Sequence, residues 1–70
     1  MIEIFKTSVK RKSDSHKIVQ DLKNIIPEAR INFDLEDCDN ILRIEANHFD
    51  IKSVQSLLQK YGHESEVLIG

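Results

Sequence analysis

Ala29-Arg30-Ile31-Asn32-Phe33-Asp34-Leu35-Glu36-Asp37-Cys38-Asp39-Asn40-Ile41-Leu42-Arg43-Ile44-Glu45-Ala46 is the stretch that decides the fold. From Ala29 to Leu35 the apolar side chains alternate, with Ile31, Phe33 and Leu35 facing one way and Arg30, Asn32 and Asp34 the other. Alternation at a period of two marks a strand with one buried face. Ile41 to Ala46 repeats it, setting Leu42, Ile44 and Ala46 against Arg43 and Glu45. Glu36-Asp37-Cys38-Asp39-Asn40, between them, is rich in turn formers and poor in strand formers, so the chain reverses there. The stretch is an antiparallel hairpin with one greasy face.

Upstream, Ile18, Val19, Leu22, Ile25 and Ile26 form a helical stripe closed by Pro27, whose ring cannot continue a helix. Ser13-Asp14-Ser15 supplies N-cap candidates, since their side-chain oxygens can accept from free helix amides. Met1 to Val9 reads as a strand with Phe5, Thr7 and Val9 on one face and Ile2 and Ile4 on the other. Apolar residues on both faces suit an interior strand. Lys10-Arg11-Lys12 ends it.

Downstream, Asn47 and His48 read as loop and Asp50 as the cap of a second helix. Phe49 before the cap and Val54 after it are spaced for a hydrophobic staple. Ile51, Val54, Leu57, Leu58 and Tyr61 make the buried stripe, and Gly62 stands where a left-handed residue ends a helix. Glu64 to Ile69 gives a last short strand with Val67 and Ile69 on one face.

The element order is βαββαβ. It predicts an α+β fold: a ferredoxin-like sandwich, with a four-stranded antiparallel sheet and two helices on one face. Residues 1–70 are expected to form a single domain. A chain this short buries only about 60% of its unfolded surface, so its stability is marginal. Cys38 is the sole cysteine, which leaves packing or self-association to make up the difference.

In this order the segments resemble a heavy-metal-associated domain over nearly the whole length. Phe5-Lys6-Thr7-Ser8-Val9 is similar to the family's first strand, Ile31-Asn32-Phe33-Asp34-Leu35-Glu36 to its second and Asn40-Ile41-Leu42-Arg43-Ile44-Glu45 to its third. Lys60-Tyr61-Gly62-His63 resembles the turn before its last strand. The family's metal chemistry rests on a Cys-x-x-Cys between the first strand and first helix, whose soft thiolates bind soft cations. Here that stretch is Lys10-Arg11-Lys12-Ser13-Asp14-Ser15, with Arg11 and Asp14 in place of the thiolates. A guanidinium repels cations. The resemblance implies the fold and withholds the metal transfer.

Composition bounds the rest. A net charge of −2 gives no positive field for nucleic acid or anionic lipid, and no apolar run or signal-peptide core points to a membrane. A lone cysteine with no targeting segment suits the cytoplasm. Topology gathers Asp14, His16, Cys38, Asp39 and His63 at one end of the sheet, an alternative site for zinc, another divalent metal or a small ligand. No recognised ligand spacing accompanies them, and no cofactor is expected. The acidic neighbours Glu36, Asp37 and Asp39 disfavour a reactive Cys38 thiolate.

Lys6, Lys10, Arg11, Lys12 and Lys17 cluster near the first loop, but the open sheet face offers no aromatic for base stacking. Nucleic acid is therefore not an expected partner. No Ser/His/Asp or Cys/His set, paired carboxylates or phosphate loop is visible, and so small a fold has little room for a pocket of about 300 Å³ or more. The chain reads as a non-catalytic interaction module. Its candidate contacts are Ile2, Ile4, Lys10, Arg11 and Lys12, with a protein partner or a second copy as the occupant. Sheet edges add further pairing sites.

Overall fold

The computed structural model describes residues 1–36 and 38–68. The chain runs β1 (Ile2–Thr7), α1 (Lys12–Ile25), β2 (Arg30–Asp34), β3 (Ile41–Glu45), α2 (Ile51–Lys60) and β4 (Ser65–Leu68). The four strands form one antiparallel sheet in the order β2-β3-β1-β4. This is the ferredoxin-like α+β arrangement, and β1, apolar on both faces, lies inside the sheet. Two positions of the sequence reading, Asp37 in the turn and Ile69 in the last strand, lie outside the described residues.

Register explains the core. Phe5 stands opposite Leu42 and Val67, Phe33 opposite Leu42, and Ile31 opposite Ile44. These inward side chains are roofed by Ile18 and Leu22 of α1 and by Val54 and Leu58 of α2, all fully buried. α1 packs over β2, α2 over β4, and the helices touch each other, so both cover the same face. Each such side chain contributes roughly 1.5–3 kcal/mol when taken out of water. Among the described residues no helix lies over the other face.

α2 is capped at both ends as its sequence predicts. The Asp50 carboxylate accepts from the Lys52 amide at 3.0 Å, and Phe49 and Val54 both reach the core. Gly62 adopts φ +78°, and the Gly62 and His63 amides donate to the carbonyls of Gln59 and Leu58.

α1 departs from expectation. It begins at Lys12 with Arg11 in the cap position and no side-chain cap bond. Two of the expected caps are engaged elsewhere. Ser15 is buried and its hydroxyl donates to the Lys12 carbonyl, while Asp14 turns toward His63.

Candidate functional site

Two regions carry the residues that the sequence singles out: the loop end of the sheet and its open face. At the loop end, Thr7 ties β1 to the hairpin turn. Its amide donates to the Asp39 carbonyl at 3.2 Å and its hydroxyl to the Asn40 carbonyl at 2.7 Å. Asn40 adopts φ +48°, a conformation that asparagine tolerates better than most residues. Lys6 Nζ lies 3.5 Å from Asp39 Oδ1, an exposed pair worth well under 1 kcal/mol.

The three loops do converge. Ser8 Oγ is 3.1 Å from His63 Nδ1, and His63 Nε2 is 3.4 Å from Asp14 Oδ2. Sequence reading finds no Ser/His/Asp set, because Ser8 and His63 are separated by most of the chain and belong to no motif. The signal that could have found them is topological, since βαββαβ order brings those loops together.

Backbone bonds hold the same serine. The Ser8 amide donates to the Glu64 carbonyl, and the Glu64 amide donates to Ser8 Oγ. Ser8 is thus bonded to the turn before β4 through both its amide and its hydroxyl. With Nε2 protonated, the ring donates to Asp14 and accepts from Ser8. That arrangement fastens the first loop to the turn before β4.

His16 and Cys38 are exposed, and neither joins Asp14 and His63. Among the described residues no group of three or more His, Cys, Asp or Glu side chains is placed to hold a metal ion. Lys10, Arg11 and Lys12 are exposed at the same end.

Tyr61 is half-buried against the core, and its hydroxyl donates to the Asp21 carboxylate, joining the end of α2 to α1. That hydrogen bond, then desolvation and the Asp21 charge, push the phenol above its ordinary pKa. Every buried side-chain nitrogen or oxygen among the described residues has a partner.

The open face is read directly from the register. Ile4 stands between Arg43 of β3 and Leu68 of β4, and Asn32 of β2 continues that middle row. On one side of it lie Ile2, Glu45 and Arg30; on the other, Lys6, Ile41, Asp34 and Glu66. Ile2 is 50% exposed, Ile4 37% and Met1 46%.

The expected lack of pocket volume is not met. A polar groove of about 620 Å³ runs beside Ser8, Gln55 and Gln59, and an apolar one of about 640 Å³ beside Ile25, Phe49 and Leu57. Secondary structure alone conceals these volumes, because they lie where the helices meet the sheet edge and each other.

Among the described residues no helix is long and apolar enough to cross a membrane. No family model matches the chain, and no curated protein matches it significantly.

Proposed function

We propose that this chain is a non-catalytic interaction module that meets a protein partner through the open face of its sheet. The scaffold is of the heavy-metal-associated kind, with Arg11 and Asp14 standing where that family has thiolates. One observation carries the reading: Ile2 and Ile4, on a central strand, face solvent beside Leu68 on the side that no helix covers. Covering apolar area yields about 25 cal/mol per Å². An antiparallel sheet whose outer face meets only water is normally polar there.

Exposed Lys10, Arg11 and Lys12 at the adjoining end are the module's candidate charged contacts. The face has no aromatic side chain, so nucleic-acid stacking has no platform. No cofactor is needed, and a reducing cytoplasm suits the exposed Cys38 thiol. The loop end is the weaker candidate for metal or small-ligand binding, because Asp14 and His63 face each other and neither His16 nor Cys38 joins them.

A photo-crosslinking side chain at position 4, compared with one at Lys17 on the exposed surface of α1, tests the proposal in cells and in the purified chain at about 1 mM. A protein adduct at position 4 and none at 17 is the expected result. Adducts at 17 alone, or at neither position, contradict it.

A further inference from the structure

Resting on the open-face reading, we infer that the partner is a second copy of this chain, packed sheet to sheet about a two-fold axis that runs across the strands. A closed pair needs a face complementary to itself. The outward residues meet that need in sum, because the cations Lys6, Arg30 and Arg43 are balanced by the anions Asp34, Glu45 and Glu66.

Charge position then chooses between the two ways of stacking the sheets. With the axis along the strands, strand order reverses and β2 lies over β4 of the copy. That sets Asp34 over Glu66 twice, like charge on like. With the axis across the strands, each strand lies over its own copy running the other way. Arg30 then meets Asp34 of the copy, and symmetry repeats the pair. Ile4 and Leu68, in the middle row, meet their own counterparts.

The same geometry has a weakness. Arg43 also lies in the middle row and faces its own mate. The face is small as well: four strands spaced about 4.8 Å, with residues about 3.3 Å apart, give roughly 15–20 Å each way. A standard interface buries about 800 Å² per partner, so this dimer is weak and forms at high concentration.

Sedimentation equilibrium up to about 1 mM tests the arrangement on the native chain, Arg30→Asp, Asp34→Arg and the double swap. The native chain should associate, each single change should weaken association about tenfold or more, and the double swap should restore it. Asp34 also accepts from the Glu36 amide at 3.2 Å, so circular dichroism must show each variant folded. Arg43→Gln, on an exposed position, gives an independent reading and should tighten the dimer.

A monomeric native chain overturns the inference, as does a folded double swap that stays weak or an Arg43→Gln variant that loosens association. Failure of the wider reading looks different. A cellular adduct at position 4 with some other protein removes the homodimer and keeps the open-face module, whereas no adduct there removes both.

Discussion

His63 Nε2 lies 3.4 Å from Asp14 Oδ2 while Nδ1 of the same ring lies 3.1 Å from Ser8 Oγ. One imidazole thus fastens the end of β1 and the first turn of α1 to the turn before β4. His63→Ala should lower the unfolding free energy by about 1 kcal/mol, the usual net worth of a partly exposed hydrogen-bonded group. Asp14→Ala should cost less than about 1 kcal/mol, because water screens that pair. Urea denaturation of both variants checks this, and losses above about 3 kcal/mol would assign the pair a larger role than its exposure allows.

Tyr61 and Asp21 give a pH dependence. The phenol is held above its ordinary value, chiefly by its hydrogen bond to Asp21. A group whose folded pKa is raised contributes stability that is fully present below its unfolded pKa and lost as pH rises through the folded one. Stability should therefore fall in alkali from the ordinary tyrosine range upward. Absorbance titration should place Tyr61 ionisation lower in Asp21→Asn, and Tyr61→Phe should lack this phase of alkaline destabilisation. An unchanged ionisation in Asp21→Asn would show the link to be absent.

The core leaves little margin. Leu58 and Leu22 are fully buried, one under each helix, and truncating such a leucine to alanine costs about 2–5 kcal/mol. Native domains hold only about 5–15 kcal/mol in all, and a chain of this size sits low in that range. Leu58→Ala should be largely unfolded at 37 °C by circular dichroism, whereas a variant at exposed Lys17 should melt like the parent.

The ends of α2 should respond by different mechanisms. Asp50→Ala removes an acceptor from the Lys52 amide and should cost about 1 kcal/mol. At Gly62 a new Cβ meets nothing within 4 Å, so Gly62→Ala carries only the left-handed backbone penalty of about 1–2 kcal/mol. Gly62→Asn should recover part of it. Thermal melts of the three variants give the order, and an asparagine worse than alanine would contradict the backbone account.

Most of the fold was legible because its cues are local. Phe5, Thr7 and Val9 against Ile2 and Ile4 marked an interior strand, and Asp50 with Gly62 marked both ends of a helix. The start of α1 was misread where side chains had two uses: Ser15 turns back to the Lys12 carbonyl and Asp14 reaches across to His63. The Ser8–His63 contact was illegible for a different reason. It joins two loops that only the βαββαβ topology brings together, and no spacing in the sequence encodes that. The grooves escaped notice likewise, since helix-to-edge packing sets their volume.

The central claim is that the protein meets its partner copy through the uncovered side of the sheet. Side-chain methyl spectra over a dilution from about 1 mM to about 10 μM test it most directly. The methyls of Ile2, Ile4 and Leu68 should shift with concentration while those of Ile18, Val54 and Leu58 stay fixed. Stationary Ile4 and Leu68 signals across the series, or shifts confined to Ile25 and Leu57 on the helical side, would contradict it.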